Sequence, residues 1–217
     1  ALAHGLSIGF VTRRLKLSAR RANGLLIVGA TPWTHALALA LKQLDINVLV
    51  TDGTYSHLKP LRMDDIDTYY GEILSEHAER ELEVQHLSYL LCATENDFYN
   101  ALVCKAQGSS FGRHRTFQLA THQESRKESK RMTLQQRGHA AFDDGEDYCT
   151  LHERLDRGWT MQTTRLSESY GLDKMRERLG EQGDDWVLIG GVNTDGLFRL
   201  FSEEQPFKPE SGWKMLY

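Results

Sequence analysis

Two short apolar runs separated by an amphipathic stretch dominate the first quarter of the chain. The run Leu25–Val28 ends at Gly29, and the second run, Ile46–Val50, is followed by Asp52. The residues that recur between them at helical spacing are Trp33, Leu37, Leu41 and Leu44. A continuous apolar run of this length is typical of a strand buried on both faces of a parallel sheet. The pattern therefore predicts a strand, a tight turn, a helix and a second strand.

The same alternation continues to about residue 120. The further strands predicted from apolar runs are 66–70, 86–93 and 115–120. The further helices predicted from polar or amphipathic stretches are 54–63, 75–83 and 94–107, the last with Thr94 as its cap. Strands that alternate with helices through short connections indicate a doubly wound parallel sheet, and so an α/β fold of the Rossmann type.

Beyond residue 120 the pattern changes. Residues 121–136 are polar and basic, which indicates a connector. The strands predicted after it are 138–142, 160–166, 186–190, 197–201 and 213–217, with helices at 148–156 and 171–179. Residues 193–196, Asn-Thr-Asp-Gly, form a good hairpin turn. We therefore expect a smaller α+β subdomain over residues 137–217.

Composition and charge exclude several classes of protein. At 217 residues the chain allows one large or two small domains, and its net charge of −4 gives no sign of a nucleic-acid partner. Its three cysteines are odd in number and form no C-x-x-C pair, which indicates reduced thiols. Its nine histidines include no H-E-x-x-H motif, so the sequence predicts no metal site.

The N-terminus combines an apolar run with a basic cluster. Residues 1–11 are mostly apolar, five basic residues lie within 13–21, and the first acid is Asp45. The run is too short to span a bilayer, and in a signal peptide the positive charge would come first. An apolar run followed by basic residues matches the cytoplasmic exit of a membrane helix. An amphipathic N-terminal helix with a solvated basic face explains the pattern equally well.

The first turn carries features of a nucleotide site. Thr31 can cap the following helix, Pro32 fits its first turn, and a helix N-terminus can face phosphate. Asp52 ends the second strand, where an acid accepts hydrogen bonds from ribose and disfavours the 2′-phosphate of NADP. The pattern G-x-G-x-x-G falls on Gly29, Thr31 and Thr34, so only its first glycine is present. A Rossmann-like unit that binds no ligand is therefore an alternative.

Several residues together resemble the nucleotide-binding domains called RCK (regulator of potassium conductance). They are the first strand and turn, Asp52, Gly71-Glu72, and the stretch 93–97 with Asn100. In those domains an acid after the third strand lies near adenine, although Glu72 stands where Asp is usual. Thr, Asp and Asn after the fourth strand lie near the nucleotide. The resemblance implies a binding site made of Gly29, Ala30, Thr31, Pro32, Trp33, Asp52, Gly53, Gly71, Glu72, Thr94 and Asn96.

Residues 3–17 look like the end of the last membrane helix of bacterial cation:proton antiporters. The two resemblances imply a juxtamembrane segment at 1–21 and a nucleotide-binding domain at 22–120. They imply a cytosolic regulatory domain of a Na⁺ or K⁺/proton antiporter, at the cytoplasmic face of the cell membrane. Its expected ligand is NAD(H) or an adenine nucleotide (AMP, ADP or ATP). Its expected partners are the membrane domain of the same polypeptide and a second copy in a homodimer.

Two other functions remain as alternatives. Tyr170 and Lys174 have the Y-x-x-x-K spacing of short-chain dehydrogenases, which would make the chain an NAD-dependent oxidoreductase. That family has a serine about 13 residues before the tyrosine, where this chain has Arg157. We therefore expect no enzymatic activity. The other alternative is a Rossmann-like dimerisation module that lacks a ligand.

Overall fold

The computed structural model describes residues 22–120, 132–143, 146–181 and 186–217. The predicted juxtamembrane segment, 1–21, and most of the predicted connector, 121–136, lie outside these ranges. Within them, no helix combines the length and the apolar character that crossing a bilayer requires.

A six-stranded parallel sheet organises the first part of the chain, in the order β3-β2-β1-β4-β5-β6. Its strands are β1 Gly24–Val28, β2 Asn47–Asp52, β3 Asp67–Tyr70, β4 Tyr89–Cys92, β5 Thr116–Gln118 and β6 His139–Ala140. The helices are α1 Pro32–Gln43, α2 Tyr55–Met63, α3 Glu76–Glu81, α4 Asp97–Ala106, α5 Gly108–Phe111 and α6 Tyr148–Asp156. The strand order reverses between β1 and β4, which confirms the predicted doubly wound α/β fold.

β1 is apolar throughout because helices cover both faces of this sheet. All five residues of β1 are buried. Leu25 and Ile27 pack into one hydrophobic cluster with α1, and Leu26 and Val28 pack into a second cluster with α4. Successive side chains of a strand point to opposite faces, so each face needs its own apolar residues.

A second, antiparallel sheet follows, in the order β7-β10-β8-β9. Its strands are β7 Thr163–Arg165, β8 Gly190–Val192, β9 Phe198–Leu200 and β10 Lys214–Leu216, and α7 covers Leu172–Glu181. The predicted hairpin turn is confirmed: the Asn193 N–H donates to the Leu197 carbonyl at 3.0 Å, and Gly196 has a φ of 79°. With four antiparallel strands and one helix, this part is an α+β unit.

The first sheet extends beyond residue 120, where the sequence suggested that the nucleotide-binding domain ends. In β6, His139 pairs in parallel with Phe117 of β5, although residues from 137 onward were expected in the smaller subdomain. Helix α6 packs against α1, and its Leu151 belongs to the first hydrophobic cluster. The same cluster includes Ile189 and Leu216 next to and within the second sheet, so the two sheets share a core.

Candidate functional site

The turn after β1 lies at the carboxyl edge of the sheet, where the strand order reverses. Gly29 has a φ of 107°, a conformation that favours glycine. A Cβ at this position would lie 2.9 Å from the Ala93 carbonyl oxygen and 3.0 Å from the Thr94 Cγ2. The first glycine of the motif is therefore needed because the turn lies against the end of β4.

Thr31 and Thr34 stand where the motif has its second and third glycines, and their side chains form hydrogen bonds there. Thr31 caps α1, as predicted: its Oγ1 accepts the Thr34 N–H at 3.2 Å. The Thr34 Oγ1 accepts the Thr31 N–H at 2.8 Å and donates to the Gly29 carbonyl at 2.9 Å. Thr34 is completely buried. Its hydroxyl therefore links the end of β1 to the start of α1, at the position where the motif normally has a glycine that lets strand and helix pack closely.

This capping leaves few donors for a phosphate at the start of α1. Pro32 has no N–H, and the N–H groups of Thr31 and Thr34 are already paired. The Trp33 N–H has no partner among the described residues. The Trp33 side chain is fully buried, with its ring centroid 5.7 Å from that of Phe142. Of the predicted site residues, Trp33 can therefore contribute only its main chain.

Asp52 connects the two loops that follow β1 and β2. Its Oδ2 accepts the Ala30 N–H at 2.8 Å, and its Oδ1 accepts the Thr54 N–H at 2.7 Å. The His57 Nδ1 lies 3.3 Å from the same Oδ1. A carboxylate can accept about four hydrogen bonds. With three positions used and 15% of the side chain exposed, Asp52 has room for one more donor.

Glu72 lies next to Asp52 because β3 follows β2 in the sheet. Gly71, with a φ of 149°, donates its N–H to the Asp52 carbonyl at 3.1 Å. The Glu72 Oε1 accepts the Leu74 N–H at 3.2 Å and the hydroxyl of Tyr99 from α4. Burial, then Glu72, and to a lesser extent Cys92 and Asp52, raise the pKa of Tyr99. The Tyr99 hydroxyl therefore stays protonated as a donor.

The end of β4 differs in one detail from the sequence prediction. Asn96, not Thr94, caps α4, since its Oδ1 accepts the Tyr99 N–H at 3.0 Å. The Thr94 Oγ1 donates instead to the Asn100 Oδ1 at 2.6 Å, and the Asn100 Nδ2 donates to the Thr94 carbonyl at 2.9 Å. Asn100 is completely buried. The cap lies two residues later than predicted because the Thr94 side chain is hydrogen-bonded to Asn100 at the end of β4.

Three side chains at this edge were missed by sequence reasoning: His57, Tyr99 and Tyr148. Tyr148 begins α6 at this edge, where its N–H donates to the Ala120 carbonyl just after β5 at 2.9 Å, and burial raises its pKa. Its sequence position gave no signal, because α6 follows the connector. Tyr99 could have been found, since it lies one helical turn after Asn96. Gly53 is exposed, and a Cβ there would meet nothing within 4 Å.

The arrangement can accept hydrogen bonds from a sugar and offers little for other chemistry. Described residues include no group of three or more His, Cys, Asp or Glu side chains placed to hold a metal ion. Tyr170 and Lys174, the pair with dehydrogenase spacing, lie in the other unit: Tyr170 packs against the hydrophobic cluster of the second sheet, and the Lys174 Nζ donates to the Ser169 carbonyl at 2.8 Å. A cavity of about 520 Å³, lined by Trp159, Trp186 and others, contains none of the crevice side chains. The predicted polar groups meet at the strand ends, which makes this edge of the sheet the candidate site.

Comparison with known proteins identifies the family. Residues 25–136, just over half of the chain, match the TrkA-N domain. The chain belongs to the TrkA-N domain family. Membership in this family confirms the predicted Rossmann-like domain, whereas the antiporter context stays a prediction. Curated proteins gave no match to this TrkA-N chain.

Several solved structures are similar to this TrkA-N chain. The TrkA-N domain of the inner membrane protein ybaL from Escherichia coli is 16% identical, with a TM-score of 0.43 over 48% of this chain and 76% of that one. The NAD(P)-binding domain of an exopolyphosphatase-related protein from Archaeoglobus fulgidus is 14% identical, with a TM-score of 0.46 over 63% and 96%. The GsuK channel bound to NAD is 17% identical, with a TM-score of 0.41 over 96% and 40%. This chain thus spans well under half of the channel's length, and the likeness is too low to transfer a property.

Proposed function

We propose that this TrkA-N chain is the nucleotide-sensing regulatory domain of a monovalent-cation transport system. The family membership supports a regulatory role in ion transport. The resemblance of residues 3–17 to the end of an antiporter's last membrane helix supports a Na⁺ or K⁺/proton antiporter. In this proposal the domain lies at the cytoplasmic face of the membrane and is joined to the membrane domain of the same polypeptide.

The observation that carries the proposal is the meeting of Asp52, Glu72 and Tyr99 beside the Gly29 turn. Open α/β sheets bind ligands at the carboxyl ends of their strands, at the point where the strand order reverses. Asp52 has room for one more donor, and Glu72, after the neighbouring strand β3, accepts the Tyr99 hydroxyl. Ribose hydroxyls are donors of the required kind. A ribose is therefore the part of a ligand that this edge recognises best.

The ligand we propose is NAD(H) or an adenine nucleotide. With respect to the described residues, only the Trp33 N–H at the start of α1 is free to bind a phosphate, and the carboxylates of Asp52, Glu72 and Glu95 disfavour additional negative charge. NADP is disfavoured for the same reason, because its 2′-phosphate would lie beside Asp52. Recognition therefore depends on the nucleoside more than on the phosphates.

Regulation needs no catalytic residue. A ligand shifts an equilibrium between two shapes only by binding one of them more tightly. The crevice brings together the loops after β1, β2 and β3 with the starts of α4 and α6. A nucleotide that contacts several of these elements would therefore favour one arrangement of them. Tyr170 and Lys174 lie in the other unit, which disfavours the dehydrogenase alternative.

One observation favours the alternative of a module that binds no nucleotide. Thr31, Pro32 and Thr34 together leave α1 with an almost fully satisfied N-terminus. A helix end that is already capped gains less from an anion. A Rossmann-like dimerisation module would show the same capping and would respond to no ligand.

A thermal-shift panel tests the proposal. The full chain is heated with NAD, NADH, AMP, ADP or ATP, with NADP as the disfavoured ligand. At 100 times its dissociation constant, a ligand that binds only the folded state adds about 2.7 kcal/mol to the free energy of unfolding. We expect at least one nucleotide other than NADP to raise the unfolding temperature, and Tyr170→Phe to leave that rise unchanged. The absence of a shift with every nucleotide would favour the dimerisation module.

A further inference from the structure

A separate cavity lies at the opposite, amino-terminal edge of the first sheet. Its volume is about 400 Å³. Its walls come from the start of the described chain, the starts of β4 and β5, and the hairpin between β8 and β9. The residues that line it include Ala22, Tyr89, Arg115, Asn193 and Arg199. Because the strands are parallel, the length of the sheet separates this cavity from the candidate nucleotide crevice.

Two arginines line this cavity, and their guanidinium groups have no acidic partner among the described residues. Neither Arg115 nor Arg199 forms an ion pair with a carboxylate among the described residues. The Arg115 Nε donates to the His114 Nε2 at 3.2 Å, and the Arg199 guanidinium lies 6.0 Å from the ring centroid of Trp213. Burial raises the pKa of Tyr89, and the charges of Arg199 and then Arg115 oppose that rise. Both arginines and Tyr89 line the same cavity.

The walls of the cavity are fixed by hydrogen bonds and ring contacts. The Asn23 side chain donates to the Gly196 carbonyl and accepts the Phe198 N–H, each at 2.9 Å, which fastens the hairpin to the start of β1. The Asn193 Oδ1 accepts the Leu197 N–H at 2.8 Å. The Tyr89 ring packs edge-on against Phe198, with 6.0 Å between centroids. The hydroxyl and the backbone that carries Arg199 therefore need little ordering when a ligand binds.

We propose that this cavity binds a phosphate group, either free or on the headgroup of an anionic lipid. A guanidinium fork binds two phosphate oxygens at once, and two such groups match the double negative charge of a phosphate. The Tyr89 hydroxyl, which has no hydrogen-bond partner among the described residues, supplies a third donor. The volume lies within the usual range for small-molecule sites, so the organic part of a phosphate ester also fits.

The lipid source rests on the proposed function, whereas the phosphate site itself does not. Ala22 lines the cavity and directly follows the segment that the sequence predicts to lie at the membrane. In a membrane-attached domain, this edge of the sheet would then face the anionic leaflet. A soluble phosphate compound would use the same two arginines.

The test measures phosphate binding by the full chain in phosphate-free buffer of low ionic strength. Calorimetry follows inorganic phosphate, and co-sedimentation follows vesicles of phosphatidylcholine with or without phosphatidic acid. We expect Arg115→Gln and Arg199→Gln each to weaken binding roughly tenfold, the effect of losing one charge-assisted hydrogen bond. Tyr89→Phe, which removes only the hydroxyl, should weaken it less. Arg165→Gln is the matched control, because Arg165 is an exposed arginine of the second sheet outside the cavity.

The outcomes distinguish a soluble phosphate from a lipid headgroup, and the phosphate site from the proposed nucleotide site. Phosphate binding that the double arginine variant loses and the control keeps supports a site for soluble phosphates. Vesicle binding that the double variant weakens, without binding of free phosphate, supports the lipid. Equal vesicle binding by wild type and double variant, with no binding of free phosphate, overturns the proposal, as does equal weakening by Arg165→Gln. Asp52→Asn should leave phosphate binding unchanged. A negative result for nucleotide binding can therefore be told apart from a negative result for phosphate binding.

Discussion

Thr34 shows how a single side chain changes the character of the first turn. Its hydroxyl donates to the Gly29 carbonyl and accepts the Thr31 N–H, at the position where a third glycine would lie. The sequence identified Gly29, Thr31 and Asp52 as important, because their places relative to the two apolar runs are visible in the pattern. It did not show that Asp52 already accepts the Ala30 and Thr54 N–H groups, since these contacts exist only once β1 and β2 lie side by side.

Gly29→Ala tests the requirement for glycine in this turn. The positive φ and the approach of the Ala93 carbonyl oxygen to 2.9 Å both oppose a Cβ. We expect the free energy of unfolding to fall by roughly 1–3 kcal/mol, the usual cost of a non-glycine residue held in a strained conformation. Gly53→Ala is the control, because a Cβ there meets nothing within 4 Å. Denaturant unfolding compares the two, and equal stability of both variants would show that the turn tolerates a side chain.

At the scale of elements, β6 is held to the first sheet by an ionic cluster. The Arg137 guanidinium lies 2.5 Å from the Glu204 Oε1, and the Ala140 N–H donates to the Glu204 Oε2 at 3.1 Å. The His139 Nδ1 lies 3.3 Å from the same Oε2. These contacts join the loop after β9 to the last strand of the parallel sheet. The cluster therefore contributes to the attachment of the second unit.

The pKa values of this cluster predict a loss of stability in acid. Burial raises the pKa of Glu204, but Arg137, the Ala140 N–H and His139 outweigh it, so the pKa lies below its usual value of 4.5. Burial lowers the pKa of His139 below 6.5, with Glu204 in opposition. A lowered carboxyl pKa stabilises the fold above the usual value and loses that effect as the pH falls through the lowered value. A lowered histidine pKa likewise means that stability is lost as the pH falls.

Glu204→Gln should therefore destabilise the fold at neutral pH and matter less in acid. The expected loss at neutral pH is about 1–3 kcal/mol, the range for hydrogen bonds to charged groups. As the pH falls below 4.5 and Glu204 becomes protonated, the difference from wild type should shrink. Glu203→Gln, at the exposed neighbouring position, should show no such dependence. A difference that stays constant with pH, measured by urea unfolding, would contradict the assignment.

The elements that the sequence predicted well are those that carry their own apolar pattern. The five strands β1 to β5 and the helices α1 to α4 fall close to where the apolar runs and helical spacing placed them, whereas the short helix α5 was not predicted. Strand β6 has only two residues, His139 and Ala140, and its place is decided by pairing with β5. For the same reason the sequence did not show that α6 packs against α1, since these contacts come from tertiary packing.

At the scale of the whole molecule, the two candidate sites lie at opposite edges of the parallel sheet and offer different charged groups. The carboxylates of Asp52, Glu72 and Glu95 lie at the carboxyl edge, and Arg115 and Arg199 line the cavity at the amino edge. The two units share one hydrophobic cluster, so a ligand at either edge acts on elements that are packed together.

The predicted homodimer has a candidate surface on α4. Phe98 and Leu102 lie one helical turn apart, with 78% and 55% of their surfaces exposed. Apolar residues grouped in this way are a typical contact between subunits. We expect the double variant Phe98→Ser, Leu102→Ser to shift the chain towards the monomer in sedimentation. Met63→Ser, at a residue of α2 that is 77% exposed, should leave association unchanged. A wild-type chain that sediments as a monomer would contradict the prediction.

The central claim is that a nucleotide binds at the carboxyl edge of the sheet through Asp52, and calorimetric titration tests it most directly. The nucleotide with the largest thermal shift is titrated into wild type, Asp52→Asn and Asp195→Asn, the last at an exposed acid in the hairpin at the other edge. The circular dichroism of each variant checks that it is folded. We expect Asp52→Asn to weaken binding by about 1–3 kcal/mol, the range for a hydrogen bond to a charged group, and Asp195→Asn to leave it unchanged. Equal affinity of wild type and Asp52→Asn would place the nucleotide elsewhere.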